Sequence, residues 1–142
     1  MKKAPAALLG VLASMAAACG TNAKTADCDA LISTVNAEVD QVNRARNKLK
    51  ETESPSEVEN LATTLENAAH TIEHVPVADA KLDGLRRAYV EFLLKEARTR
   101  RAIVEGRRHR EKEHVAKLRE ELKKAAGEEP KLVGAVNKAC GR

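Results

Sequence analysis

The chain has 142 residues and a net charge of +4 at pH 7; 32% of its residues are charged and 1% are aromatic. This length allows one ordinary domain, and a second domain is not expected. The abundance of Ala, Leu, Glu, Lys and Arg favours long helices over sheets. The fold class is therefore all-α, with a core built from aliphatic side chains.

The first 18 residues have the pattern of an export signal. Lys2 and Lys3 precede an apolar, uncharged run from residue 4 to residue 18, and three small residues stand immediately before Cys19. The run is shorter than the about 20 apolar residues that a membrane-spanning helix needs. It resembles the leader of bacterial lipoproteins, although Ala16 stands where that family usually has Leu. An ordinary secretory leader, cut at the same small residues, is the alternative and leaves Cys19 as a free thiol.

The resemblance to lipoproteins implies an address for the protein. Residues 1–18 are then a cleaved signal peptide, Cys19 is the lipidation site, and residues 19–26 are a tether to a helical domain over residues 27–142. In Gram-negative lipoproteins an Asp directly after the lipidated Cys favours retention in the inner membrane. Gly20 at that position implies the outer membrane, so the expected partner of the lipid is a membrane surface.

The chain contains three cysteines, an odd number. An oxidising exported compartment disfavours a free thiol, and lipidation of Cys19 leaves an even pair. We therefore expect a disulfide between Cys28 and Cys140. It would stabilise a core in which Ala and Val each bury little apolar area.

The first two helices are defined by apolar spacing and by caps. From Asp27 to about Thr52, apolar residues recur at spacings of three, four and seven, which predicts one amphipathic helix. Next, Ser54 is a predicted cap, Pro55 suits the first helical position, and Glu57 completes a capping box. The apolar pattern of this second helix continues until a proline at position 76 ends it.

The remaining apolar pattern predicts further helical segments. Asp79 is a predicted cap for a third helix, and the pattern lapses between residues 106 and 114 before it resumes at Val115. The Gly-Glu-Glu-Pro sequence at residues 127–130 predicts a break or kink, followed by a short final helix that carries Cys140.

Two topologies are open for the second half of the chain. Residues 79–126 contain no proline, and as one helix they would be about 70 Å long. If Cys28 and Cys140 pair, however, their Cα atoms must lie within about 7 Å, and the chain must reverse near residues 106–110. That reversal gives an up-down-up-down four-helix bundle whose two ends are joined by a disulfide.

The two ends of the mature chain also resemble those of small helical lipoproteins of Gram-negative bacteria. The opening stretch is Cys28–Asn36 and the closing one Pro130–Cys140. This resemblance implies the same fold and the same address, and it carries no activity with it.

His70 to His74 match the H-x-x-E-H pattern of inverted zinc metalloproteases, in which two histidines bind Zn²⁺ and the Glu activates water. The match is short, both rings fall on the predicted solvent face of their helix, and no further acidic ligand is evident. We interpret them as exposed histidines. We expect no catalytic residue, no metal site, no cofactor and hence no enzyme, since other catalytic motifs are absent.

Charge is distributed unevenly along the chain. Residues 27–83 contain 12 acids and 5 Lys or Arg, a net of −7, whereas residues 95–124 contain 6 acids and 12 Lys or Arg, a net of +6. In the expected bundle, the densest basic run lies at the tip that is distal to the lipid anchor. The candidate binding residues are Arg100, Arg101, Arg107, Arg108, Arg110 and Lys112.

This distal tip has two interpretations. It docks an anionic envelope polymer or an acidic protein, or it is a solvated helical surface whose charges pair locally with neighbouring acids. Nucleic acid is not an expected partner, because the protein is exported and free aromatic platforms for bases are lacking.

The sequence thus favours a membrane-anchored envelope lipoprotein with a binding or structural role. A periplasmic helical chaperone or stress adaptor, acting through a concave face on a dimer, is the alternative. A metal-dependent hydrolase is a remote one, because it depends on the two histidines at residues 70 and 74 alone.

Overall fold

The computed structural model describes the backbone of residues 19–52 and 54–142, and the side chains from residue 23 onward except those of residues 52 and 53. The four helices are α1 (Cys19–Thr52), α2 (Pro55–Glu73), α3 (Ala80–Arg108) and α4 (Lys112–Ala139). Each helix packs against the next one along the chain. The predicted all-α, up-down-up-down four-helix bundle is confirmed. The proposed leader, residues 1–18, lies outside the described residues.

The predicted helix starts of α2 and α3 are confirmed. Ser54 Oγ accepts a hydrogen bond from the Glu57 backbone N–H at 3.2 Å, and Asp79 Oδ1 accepts one from the Leu82 N–H at 2.9 Å. The side chain of Asp27 in α1 also accepts the Ala78 N–H at 2.7 Å. These contacts satisfy donors that lack intrahelical partners and attach the α2–α3 connection to α1.

The first helix begins earlier than predicted, at Cys19 rather than at Asp27. It therefore runs through the segment that we interpreted as a tether. The side chains of residues 23–26 are all exposed, so this part of α1 adds little to the core. The apolar pattern marks only where α1 begins to pack, and the helix extends upstream of it through residues 19–26, whose Gly, Thr and Asn are weak helix formers.

The chain reverses between α3 and α4, so residues 79–126 form two helices rather than one. Gly106, buried in α3, lies against Val115 of α4: a Cβ atom added to this glycine would be 2.8 Å from Val115 Cγ2. The lapse in the apolar pattern is therefore a turn, as the disulfide argument requires. Only a residue without a side chain allows the two helices to approach this closely.

The predicted break at residues 127–130 is wrong, because α4 continues through Pro130 to Ala139. Proline removes the backbone hydrogen bond to the carbonyl four residues earlier, that of Ala126, at a cost of about 3 kcal/mol. Both residues are exposed, which leaves that carbonyl accessible to water. The buried stripe resumes beyond the proline, and its packing outweighs the local signal.

The core lies mainly between α2 and α3 and the inner face of α1. Its largest fully buried side chains are Leu31, Val42, Leu61, Leu65, Ile72, Leu82 and Leu93. Burial of each such side chain contributes roughly 1.5–3 kcal/mol. By contrast, α4 has two buried residues, Val115 and Val136. This helix is held less by burial than the other three.

Cys28 of α1 and Cys140 at the end of α4 form a disulfide with their Cα atoms 5.7 Å apart, so the predicted pairing is confirmed. Arg142 adds an ion pair with Asp29 at the same end of the bundle. The backbones of α1 and α4 approach closely over much less of their length than those of the other neighbouring pairs. The disulfide thus closes one end of an otherwise open seam.

Candidate functional site

The turn between α3 and α4 lies at the opposite end of the bundle from the disulfide. The 28 residues of α4 separate the two ends by about 42 Å. Within the turn, Arg110 has a φ of 61°, and the Glu111 N–H donates to the Gly106 carbonyl at 2.8 Å. The turn is therefore closed by backbone hydrogen bonds, and its side chains are left for other contacts.

Four cationic side chains line an open depression of about 440 Å³ beside Val115 at this turn. We call these four residues the distal basic patch: Arg107, Arg110, Lys112 and Arg119. All four are exposed, and none forms an ion pair with any residue that the structure describes. Glu111 is the one acid in the lining, so four positive charges less one negative charge leave a local excess of +3.

The structure does not bring all six predicted residues to the tip. Arg107, Arg108, Arg110 and Lys112 lie there, and Arg108 pairs with Glu105 at 3.1 Å. Arg119, which the prediction omitted, joins them from the next turns of α4. The dense basic run in the sequence therefore contains two groups of residues with different surroundings.

Arg100 and Arg101 lie about two helical turns before the tip, and both are held in ion pairs. Arg101 bridges Glu59, at 2.8 Å, and Glu66 of α2. The hydrogen bonds from Arg101 lower the pKa of both carboxyls below the usual value. The placement of these two arginines at the tip is therefore corrected: adjacent positions on a helix face different neighbours.

A network of charged side chains, absent from the sequence prediction, joins α1, α3 and α4. Arg46 donates from Nε and one Nη atom to both carboxylate oxygens of Glu96, and from the other Nη to Glu129 at 3.0 Å. Arg100 Nε donates to Glu96 at 2.8 Å, and the Tyr89 hydroxyl donates to Glu129 at 3.1 Å. Glu96 is only 6% exposed, so these contacts replace its water.

The pKa values in this network reflect the balance of burial and pairing. Burial raises the pKa of Glu96, but the hydrogen bonds and charges of Arg46 and Arg100 outweigh it and lower the pKa overall. Burial lowers the pKa of Arg46, but Glu96 and Glu129 outweigh burial, so the pKa of Arg46 is raised overall. Burial, together with the charge of Glu129, raises the pKa of Tyr89. Glu96, Arg46 and Tyr89 therefore keep their usual charge states near neutral pH.

The sequence does contain a signal for this network. Arg46 falls between Val42 and Leu49 on the apolar stripe of α1, and Glu96 follows Leu93 by three positions on that of α3. A charged residue at a core position needs a buried partner, because an unpaired buried charge is costly. Spacing alone predicts that partners exist, but not which helices supply them.

The two histidines of the H-x-x-E-H match lie at the end of α2. The ring centroids of His70 and His74 are 4.2 Å apart, both side chains are exposed, and His74 Nδ1 contacts the His70 carbonyl at 2.7 Å. Among the described residues, no group of three or more His, Cys, Asp or Glu side chains is arranged to hold a metal ion. The match therefore brings two rings together without a third ligand.

A comparison of the chain with models of protein families, with curated proteins and with solved structures finds no match. Over the part of the chain that the structure describes, no helix has the combined length and apolar character that crossing a bilayer requires.

Proposed function

We propose that the protein is an envelope lipoprotein, attached to a membrane through Cys19, that binds an anionic polymer through the distal basic patch. The observation that carries this proposal is the set of four exposed cations, unpaired with any acid that the structure describes, around one depression at the end of the bundle opposite the disulfide. Exposed cations that are not neutralised locally create a positive potential, which attracts a polyanion.

The contrast with three other arginines supports a binding role. Arg46 and Arg101 pair with acids of other helices, and Arg86 pairs with Asp83 and donates to the Val75 carbonyl just after α2. The patch residues contribute no such link, and exposed charges of this kind stabilise a fold by about 0 to 1 kcal/mol each even when they are paired. Their concentration at one end is therefore better explained by an external partner than by stability.

Arg110 adds a second argument, because its backbone is in the left-handed region. A residue with a Cβ atom is disfavoured there by about 1–2 kcal/mol, and glycine adopts this conformation freely. An arginine at such a position places an exposed positive charge in the turn at the expense of backbone stability.

A polymer fits the patch better than a folded acidic protein does. Stable protein interfaces bury about 800 Å² on each partner and have an apolar, often aromatic centre. The lining here is mostly charged, with Val115 as its main apolar side chain. A flexible polymer with repeated negative charges can bind through the cations alone and needs no apolar centre.

The ligand class is tested with two polymers that share one backbone, dextran sulfate and uncharged dextran. The oxidised protein should bind dextran sulfate and should not bind dextran. Binding of dextran sulfate should weaken steeply as salt rises, because screening acts over about 8 Å at physiological ionic strength. Arg110→Gly should weaken binding while it raises the melting temperature. Equal binding of both polymers, or binding of dextran sulfate that salt does not affect, would contradict the proposal. So would binding confined to acidic proteins.

The membrane anchor is tested separately. Cells grown with an alkyne fatty acid should label the wild-type protein, whereas Cys19→Ser should remain unlabelled and Cys28→Ser should be labelled. Labelling of the Cys19→Ser protein would contradict the assignment of the lipid anchor to Cys19. The proposal of polymer binding does not depend on that result.

A further inference from the structure

A groove of about 290 Å³ runs along the open seam between α1 and α4. Its floor is Phe92 of α3, and its walls include Leu49 of α1 and Leu122 and Ala125 of α4. These apolar side chains are only partly buried, so they remain available for contact. The groove is distinct from the distal basic patch, with which it shares no lining residue.

The charged network forms the polar side of this groove. The acids Glu96 and Glu129 both line it, but Arg46 and Arg100 already donate to them. Arg46 uses both Nη atoms and Nε in these contacts and in one with Asn43 at 3.3 Å. The negative charges of the groove are therefore compensated from within.

Two cations at the groove retain free donors. Arg100 contacts Glu96 through Nε and Nη2 only, which leaves its Nη1 group without a partner in the described part of the protein. Lys50, exposed at the end of α1, forms no ion pair with the described residues. The lining contains three cations and two acids, so its net charge is +1.

The packing of the bundle does not require this arrangement. Buried ion pairs are frequently no more stable than well-packed apolar side chains of similar size. The bundle nevertheless has two charged residues, Arg46 and Glu96, on its apolar stripes and leaves the adjoining seam open. A pocket with apolar walls and a few convergent polar groups is the usual form of a small-molecule site.

We propose that this groove binds a small amphiphilic carboxylate, with its apolar body against Phe92 and Leu122 and its carboxylate on Arg100 and Lys50. The single excess positive charge matches a monoanion. A cationic ligand would find the acids already paired, and the volume lies at the lower end of the range for ligand pockets, so the ligand is small.

Octanoate is the probe, and 1-octanol and octyltrimethylammonium are neutral and cationic controls of the same chain length. Titration of the purified oxidised protein, followed by two-dimensional NMR, should shift the amides of Phe92, Leu122 and Ala125. Octanoate should bind about tenfold more tightly than the other two, because its carboxylate alone accepts charge-assisted hydrogen bonds from Arg100 and Lys50.

Lys50→Gln and Arg100→Gln should each reduce octanoate affinity and leave octanol affinity unchanged. Lys50→Gln removes no described ion pair, so it tests the proposal even if Arg100→Gln lowers stability. Arg98→Gln is the matched control, since Arg98 is exposed and pairs with Glu91 outside the groove. Equal affinity for the three probes, shifts outside the groove, or binding of an acidic helical peptide without binding of octanoate would overturn the proposal.

Discussion

Arg46 of α1 and Glu96 of α3, fifty residues apart in the sequence, form a two-point hydrogen-bonded ion pair inside the bundle. Their side chains are 18% and 6% exposed. The pair lies where the apolar stripes of two helices meet, and Glu129 extends it to α4. It therefore couples three of the four helices at the seam between α1 and α4.

We expect Arg46→Met to lower the free energy of unfolding by about 3 kcal/mol, because it leaves Glu96 with fewer of its charge partners in the interior. The double variant Arg46→Met with Glu96→Leu should be less destabilised than the sum of the two single variants, by at least about 1 kcal/mol. A urea-denaturation double-mutant cycle measures this coupling. The exposed pair Lys131 and Glu128 is the control and should show no coupling. Additive effects at Arg46 and Glu96 would show that the pair is not energetically linked.

The lowered pKa of Glu96 predicts how stability depends on pH. Because the pKa is lower in the folded state than in the unfolded chain, the contribution is complete above the unfolded value, about 4.5, and is lost as pH falls through the folded value. Glu96→Gln should reduce this loss. High salt should weaken the pH-dependent stability contributed by Glu59 and Glu66 more than that contributed by Glu96, because Glu59 and Glu66 are more exposed. Urea titrations between pH 6 and pH 2 measure how the free energy of unfolding changes with pH. If this dependence is the same in Glu96→Gln as in the parent, the pair contributes nothing to it.

The disulfide closes a loop with a sequence separation of 112 residues. The chain-entropy model assigns such a link a stabilisation of about 4 to 5 kcal/mol. Cys28→Ala, Cys140→Ala and the double variant should all melt far below the oxidised parent and at similar temperatures to one another. Calorimetry with and without reductant provides the measurement. A reduced parent that melts at the same temperature as the oxidised protein would contradict this expectation.

Gly106→Ala should destabilise the protein, although glycine to alanine usually stabilises a helix by up to about 1 kcal/mol. The new Cβ atom would be 2.8 Å from Val115 Cγ2, a distance that forces the α3–α4 turn to move. Gly84→Ala in the same helix is the control, because nothing lies within 4 Å of its Cβ position, and it should be stabilising. Val115→Ala should partly rescue Gly106→Ala. Stabilisation by both alanines would show that the helices are not in close contact at Gly106.

Much of the fold could be predicted because local signals agreed with one another. Ser54 and Asp79 marked two helix starts through the chemistry of caps, and cysteine pairing implied the reversal near Gly106. The helix through Pro130 could not be predicted, because the proline signal is local and the packing beyond it is not. The start of α1 was missed because the described side chains there, those of residues 23–26, are exposed, so no apolar spacing marks this part of the helix.

The candidate site was predicted only in part, because the sequence does not show which helices lie next to each other. The sequence shows where positive charges are dense, but not where acids from other helices will neutralise them. Arg101 meets two acids of α2, while Arg107, a few residues later, meets none among the described residues. Arg119, twelve residues after Arg107, enters the patch because the helices reverse. The identity of a charge cluster depends on this pairing between helices.

Binding of dextran sulfate by two charge-matched triple variants tests the distal basic patch most directly. One variant replaces Arg107, Arg110 and Arg119 with Gln, and the other replaces Arg44, Arg87 and Arg98, three exposed arginines outside the patch. Both variants remove three positive charges, so a nonspecific effect of net charge would weaken the binding of dextran sulfate equally in the two.

We expect the patch variant to lose binding and its dependence on salt, with melting temperature and helicity nearly unchanged, while the control variant keeps most of its affinity. Equal losses in the two variants, or full binding by the patch variant at every salt concentration, would contradict the assignment of polymer binding to the distal end.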